Sequence, residues 1–149
     1  MKDTANIQVM SNFVDAIITA RQSIKSFLLP RIKELNGHEI TYEMFQVLYV
    51  LWRKSEVNQQ EIANAVQKSK ASLTPLIDNL AKLKLVIRTE DANDRRNKII
   101  SLTTEGKLYQ KKFDPLIHEF YLTFKGDIPF EKIREITSIL MQASNNISK

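Results

Sequence analysis

Apolar residues recur at helical spacing along the first third of the chain, and this pattern predicts two helices. The first helix covers residues 7–29, and Pro30 together with the Asn36-Gly37 pair is expected to end it. Thr41 is suited to cap a second helix that runs from Tyr42 to about Lys54. Because the second helix is apolar around much of its circumference, we expect it to be buried at the centre of the fold.

A short helix and a longer one, separated by a tight turn, are predicted in the middle of the chain. Asn58, followed three residues later by Glu61, resembles a capping box that opens the short helix. The longer helix is expected over residues 69–84, where leucine and isoleucine recur on one face. Ser69 and Ser72 both suit its N-cap. With Ser69 as the cap, Pro75 removes a helical hydrogen bond, whereas with Ser72 it lies in the first turn at little cost.

Two runs rich in β-branched residues follow, and they predict a hairpin. Residues 85–90 and 98–102 flank a polar seven-residue segment, which gives the hairpin a long tip. Thr103 then caps a long helix that reaches about Lys125, and a last helix begins near Pro129. The predicted fold is mainly α, an α+β winged helix-turn-helix with about six helices and a wing hairpin of two to three strands.

The positive charge of the chain is concentrated in this middle part. The net charge of the whole chain is only +5, which by itself is weak evidence for nucleic acid. Between Lys68 and Lys98, however, eight Lys and Arg residues stand against four Asp and Glu residues, so this segment alone carries +4. The helix-turn-helix and the wing are therefore the basic part of the molecule.

Residue types at two places in this segment suit DNA. The second helix of a helix-turn-helix enters the major groove with its N-terminal residues, where cations and short hydroxyls reach phosphates and base edges. A thin hairpin tip can carry Arg95 and Arg96 into a minor groove, while Asp94 is expected to position the wing. The candidate DNA-binding residues are Lys68, Ser69, Lys70, Ser72, Thr74, Arg95 and Arg96.

Composition excludes several classes of protein. The chain has no cysteine, and its two histidines, His38 and His118, lie in no metal-ligand spacing, so we expect no metal site and no cofactor. It carries no Gly-rich phosphate loop, H-E-x-x-H motif or catalytic carboxylate pair, which argues against an enzyme. No apolar run reaches the roughly 18 residues of a membrane span, and we expect a cytoplasmic protein without a membrane partner.

From Thr41 to Gly106 the sequence resembles the MarR-type transcriptional regulators. The resemblance rests on the run Leu73-Thr74-Pro75-Leu76-Ile77-Asp78-Asn79-Leu80, on Asp94-Arg95-Arg96, and on Ile100-Ser101-Leu102-Thr103-Thr104-Glu105-Gly106. It includes the wing signature of that family, Asp-x-Arg followed by alternating apolar residues and Leu-Thr-x-x-Gly. The flanking helices match the family in order and length.

The resemblance implies a homodimer that binds a pseudo-palindromic operator. It implies one domain over residues 1–149, in which residues 41–106 form the DNA-binding lobe and helices 7–35 and 107–147 mediate dimerisation. The recognition helix, 69–84, is expected in the major groove and the wing, 91–98, in the minor groove. The apolar stripes of the first and last helices are compatible both with this dimer interface and with an intrachain core.

The resemblance also implies a repressor that is released by a small aromatic or anionic effector. Some members of the family sense peroxides through a cysteine of the first helix, a mechanism that this chain cannot use. The aromatic residues available for a ligand pocket are Phe27, Tyr42, Phe45, Tyr49 and Trp52, although an aromatic stripe at helical spacing is more often part of a plain core. The alternative function is a winged-helix protein–protein interaction module without sequence-specific DNA binding.

Overall fold

The computed structural model describes residues 2–36 and 39–148, which form six helices and three strands. The elements are α1 (Lys2–Asn36), α2 (Tyr42–Lys54), β1 (Glu56–Asn58), α3 (Gln59–Ala65), α4 (Lys70–Lys82), β2 (Val86–Glu90), β3 (Lys98–Leu102), α5 (Thr104–Lys125) and α6 (Phe130–Ile147). The chain divides into two compact units, one ending at Pro115 and the other beginning at Leu116. The winged helix-turn-helix fold predicted from the sequence is confirmed.

Helix α2 is the centre of the first unit, as its apolar circumference predicts. Its residues Val47, Leu48 and Leu51 are fully buried. They contribute to a core that also includes the inward faces of α1 and α4, both of which contact α2. The helix begins where expected, because the Thr41 hydroxyl accepts a hydrogen bond of 3.1 Å from the Met44 amide.

The expected break of the first helix at Pro30 is wrong. Helix α1 continues through Pro30 to Asn36; Gly37 and His38, which follow it, lie outside the described residues. Leu28 and Ile32, on either side of Pro30, are both buried, so apolar packing favours continuation of the helix. The Arg31 guanidinium also donates to the Phe27 carbonyl at 2.9 Å, which supplies a polar partner in the turn that proline disturbs.

The wing is a three-stranded antiparallel sheet in the order β1-β3-β2. Strands β2 and β3 pair from Val86 opposite Leu102 to Glu90 opposite Lys98, which is the predicted hairpin. Strand β1 adds to the other edge of β3, with Val57 opposite Ile100. Of the two to three strands expected, the structure therefore has three.

A close contact at the start of α5 explains the Leu-Thr-x-x-Gly segment. The Thr103 hydroxyl accepts from the Gly106 amide at 2.9 Å and donates to the Lys84 carbonyl, so it joins the end of α4 to the start of α5. A Cβ atom on Gly106 would overlap the Leu85 carbonyl oxygen, so only glycine fits there. Trp52 of α2 donates its indole N–H to the Gly106 carbonyl at 3.1 Å.

The N-terminal part of α1 and the helix α6 expose large apolar side chains. On α1 these include Ile7, Met10, Val14 and Ile17, and no residue of α6 is buried within the single chain. Helix α6 begins after Pro129, as predicted. None of the helices in the described part of the chain is both long enough and apolar enough to cross a bilayer.

Candidate nucleic-acid interface

Helices α3 and α4 with the turn between them form the helix-turn-helix. Asn58 caps α3 as predicted, since its side chain accepts from the Glu61 amide at 2.8 Å. Gln67 has a φ of 54° in the turn, a left-handed conformation that reverses the chain sharply. The Lys68 amide then donates to the Ala63 carbonyl at 2.9 Å, and α4 begins two residues later.

Ser69, one of the two candidate caps, is the N-cap of α4. Its hydroxyl accepts from the Ser72 amide at 3.1 Å. Pro75 is consequently the sixth helical residue, beyond the first turn, where it removes one helical hydrogen bond. The helix ends at Lys82, two residues earlier than expected.

The orientation of α4 leaves its polar N-terminal residues accessible. Leu73, Ile77 and Leu80 are fully buried against the rest of the lobe. Ser69, Lys70 and Ser72 are exposed, and Lys68 and Thr74 are half-buried. The five residues predicted on this helix end thus lie on or beside one accessible surface.

Asp94 holds the tip of the wing in a defined conformation. Its carboxylate accepts from the Arg96 backbone N–H at 3.0 Å and from the Asn97 side-chain amide at 3.4 Å. Its backbone carbonyl accepts from the Asn97 N–H at 2.9 Å, and Asn97 in turn accepts from the Asp91 amide at the base of the loop. Arg95 and Arg96 are both exposed at this tip.

Two ion pairs fix the strands of the wing. The Arg88 guanidinium lies 3.0 Å from the carboxylate of Asp78, so β2 is tied to α4. The Lys98 ammonium lies 2.8 Å from the Glu90 carboxylate across the hairpin, at the end next to the tip loop. Hydrogen bonding and charge from Lys98 lower the pKa of Glu90.

The helix-turn-helix and the wing meet at a polar cleft of about 170 Å³. Helix α4 contributes Lys70 and Thr74, and the wing contributes Arg96, so the cleft joins predicted residues from both parts of the site. It also contains residues that the sequence analysis missed: Gln59, Gln60, Asn97 and Lys98. The available signal in the sequence was the polar run Asn58-Gln59-Gln60. It lies at the start of the first helix of the helix-turn-helix, a position that adjoins the recognition helix.

The residues proposed for a ligand pocket lie partly in an aromatic cluster. The ring of Phe45 is 6.1 Å from Tyr49, 5.9 Å from Trp52 and 5.5 Å from Phe113. Phe45 is buried, whereas Phe27, Tyr42, Tyr49 and Trp52 are half-buried. The cations of Arg31 and Lys25 lie over the rings of Phe27 and Tyr42 at 3.7 and 5.5 Å.

Tyr109 adds a polar group to this cluster that the sequence analysis did not identify. Its ring lies 5.4 Å from that of Phe113. Its hydroxyl is buried without a hydrogen-bond partner among the described residues. Burial, followed by the nearby Glu39 carboxylate, raises the pKa of Tyr109. No group of three potential metal ligands occurs in the described part of the chain.

The fold and the basic residues of its recognition helix and wing define a winged helix-turn-helix DNA-binding transcriptional regulator. Residues 40–98, from the start of the DNA-binding lobe to the end of the wing loop, match the model of the MarR family. The chain is therefore similar to the MarR family of regulators over this segment.

Known relatives agree with this family in sequence and in structure. The homoprotocatechuate degradative operon repressor of Escherichia coli is 26% identical over 125 residues, which cover 84% of this chain and 82% of the relative. Staphylococcus aureus MepR in its DNA-binding conformation is similar with a TM-score of 0.77 at 24% identity, covering 92% of this chain and 98% of MepR. NadR in complex with 4-hydroxyphenylacetate has a TM-score of 0.76 at 24% identity, with 86% and 89% coverage. The relatives are named as regulators, which agrees with the expectation that the chain is not an enzyme.

Proposed function

We propose that the protein is a homodimeric repressor that places the N-terminal end of α4 in the major groove and the wing, residues 91–98, in the minor groove of a pseudo-palindromic operator. The cleft lined by Lys70, Thr74 and Arg96 carries this proposal, because it places recognition-helix and wing side chains on one face. Lys68, Ser69 and Ser72 extend that surface along the helix end, and Arg95 extends it at the wing tip. Asp94 positions the wing tip by accepting from the Arg96 backbone N–H.

In this proposal residues 41–106 are the DNA-binding lobe, and the helices over 7–35 and 107–147 mediate dimerisation within one domain. Support comes from the apolar side chains that α1 and α6 expose in the single chain. Burial of such side chains between two subunits would be favourable at about 25 cal/mol per Å² of apolar surface. Two-fold symmetry would then present two recognition helices to two half-sites.

We also propose that a small aromatic or anionic effector releases the repressor by binding beside Phe27, Tyr42, Phe45, Tyr49 and Trp52. The Tyr109 hydroxyl supports this: it is buried and has no hydrogen-bond partner in the described part of the chain, which favours a ligand that supplies one. The phenolic carboxylate bound to NadR offers both an aromatic ring and hydrogen-bonding groups. Tyr109→Phe should weaken the release of DNA by 4-hydroxyphenylacetate; unchanged release would contradict a role for this hydroxyl.

A titration of DNA binding tests the proposed function. The wild-type protein is measured at two salt concentrations against its own upstream DNA and a random duplex of equal length. The affinity of a sequence-specific DNA-binding protein falls steeply with salt and is higher for its operator by a factor on the order of 10³ or more. Equal, weak binding to both duplexes would contradict the proposal and favour a protein-interaction module.

One arginine variant and one lysine variant test whether the DNA-binding surface is the predicted one. Arg96→Ala at the wing should weaken operator binding by about 1 to 3 kcal/mol while the protein stays folded. Lys82→Ala is the matched control, because Lys82 is an exposed cation at the opposite end of α4. Equal effects of the two variants would indicate general electrostatic attraction rather than this surface.

A further inference from the structure

The cleft between the helix-turn-helix and the wing has the composition of an anion site. Three of its lining residues, Lys70, Arg96 and Lys98, are cations, and none of its described lining residues carries a carboxylate. Its volume of about 170 Å³ corresponds to about six water molecules at their share of the liquid, which is enough for a phosphate group. The charge and the size together favour a phosphate over a base edge.

Hydrogen bonding fixes the orientation of the Gln59 side chain at the wall of this cleft. The Thr74 hydroxyl donates its one proton to the Lys70 carbonyl at 2.9 Å. Thr74 can therefore only accept from Gln59, whose Nε2 atom lies 3.0 Å away. The second N–H of this amide remains to donate to a ligand.

The lysine on the wing side is held in place in a similar way. Lys98 pairs with Glu90 at 2.8 Å, which keeps its ammonium at the loop end of the hairpin. An ammonium has three N–H groups, so this pair leaves donors for an anion in the cleft. Arg96 closes the cleft on the wing side, so an anion bound there would lie between the recognition helix and the wing.

We infer that this cleft binds one phosphate of the DNA backbone, with Gln59, Lys70 and Lys98 as its donors. The inference rests on the proposed function and adds Gln59 and Lys98 to the DNA-binding residues. A phosphate held here would fix the depth to which α4 enters one groove and the wing enters the next, because both elements form the walls of the cleft. Thr74 is a positioning residue that acts through Gln59.

Single-phosphate substitution tests the inference. Operator duplexes that each carry one uncharged methylphosphonate are titrated with the wild type and with Gln59→Glu, a variant that suits the first turn of a helix and so should fold. In the wild type, one substituted phosphate in each half-site should weaken binding by about tenfold. In Gln59→Glu, the methylphosphonate at that position should weaken binding much less than in the wild type. Methylphosphonates at the other phosphates should weaken binding as they do in the wild type.

The outcomes separate this inference from the proposed function. In one outcome the protein selects its operator while Gln59→Glu leaves the loss of affinity at every substituted phosphate unchanged, or reduces all of these losses equally. This result would overturn only the phosphate site. A wild type that does not select its operator would overturn both. A third arm titrates the free protein with inorganic phosphate and follows the Gln59 side-chain amide by NMR. Saturable phosphate binding that persists when the operator is bound would assign the cleft to a free anion instead and overturn the inference.

Discussion

At the wing tip, the Asp94 carboxylate holds the loop conformation and at the same time adds a charge that is unfavourable for DNA binding. It accepts hydrogen bonds from Arg96 and Asn97, yet it is an exposed anion on the surface that we propose faces the DNA phosphates. Asp94→Asn keeps an acceptor for the Arg96 N–H and removes the charge, so it should bind the operator at least as tightly as the wild type. Asp94→Ala removes the acceptor and should weaken binding by about 1 kcal/mol. Operator titrations of both variants measure this, and equal affinities for the two would contradict a positioning role.

The pair of Glu90 and Lys98 has a measurable pH dependence. Because Lys98 lowers the pKa of Glu90 in the folded state, the pair stabilises the fold above the unfolded pKa of this carboxyl. That stability is lost as the pH falls through the lowered, folded pKa. In Lys98→Met the pKa of Glu90 should rise toward its ordinary value, as followed by carboxyl carbon NMR. A Glu90 titration that does not change in this variant would show that another group causes the shift.

Residue types and spacing predict the chemistry of the proposed interface, but they do not predict all of the residues that line its cleft. Lys70 and Arg96 could be named because a helix N-terminus and a hairpin tip are local features. Gln59 and Lys98 could not, because their roles depend on contacts made across the fold, with Thr74 and Glu90. An uncharged amide and a lysine paired with a carboxylate carry no distinctive signal in the sequence.

Among the elements, the start of α4 combines a helix cap with a proposed DNA-binding residue, because Ser69 has both roles. Ser69→Ala removes the bond to the Ser72 amide and should reduce the free energy of unfolding by about 1 kcal/mol. Ser69→Asp retains a good cap with a favourable charge at the helix N-terminus, so its stability should match that of the wild type. Its operator binding should nevertheless fall, because the new carboxylate faces phosphates.

Urea unfolding and operator titration of the two Ser69 variants separate these effects. Undiminished stability of Ser69→Ala would contradict the cap. Undiminished operator binding by Ser69→Asp would remove this residue from the interface.

Periodicity predicts the type and order of the helices and the wing hairpin. It does not predict the helix ends and strand pairings that depend on tertiary packing. The helix break at Pro30 was expected from local geometry, whereas burial of Leu28 and Ile32 keeps α1 continuous. Strand β1 is only three residues long, and its pairing with β3 is a contact between distant parts of the chain. The N-cap of α4 was ambiguous because two serines three residues apart fit the same pattern.

For the whole molecule, the proposed dimerisation through α1 and α6 predicts at which exposed apolar residues a charged substitution is tolerated. Val14 on α1 and Ile136 on α6 are each 47% exposed, and Ile87 on the wing strand β2 is similarly exposed at 49%. Val14→Glu combined with Ile136→Glu should produce monomers, because unpaired carboxylates would be buried in the interface. Ile87→Glu, the matched control, should remain dimeric.

Sedimentation equilibrium gives the mass of each of these species. A monomeric wild type would contradict the proposed dimer. A double variant that remains dimeric would place the interface on another surface.

The central feature of the proposed DNA-binding mode is that the recognition helix and the wing use different grooves. Replacing an A·T pair by inosine–cytosine keeps the minor-groove surface of A·T but presents the major-groove surface of G·C, so it separates the two kinds of contact. In a pair-by-pair scan of the operator, positions read by α4 should each lose about 1 to 3 kcal/mol of binding, whereas A·T positions under the wing should lose almost nothing. The same wing positions should lose affinity on replacement by G·C, which adds an amino group to the minor groove. Wing positions as sensitive to inosine–cytosine as to G·C, or no sensitive position anywhere in the half-site, would contradict the two-groove account.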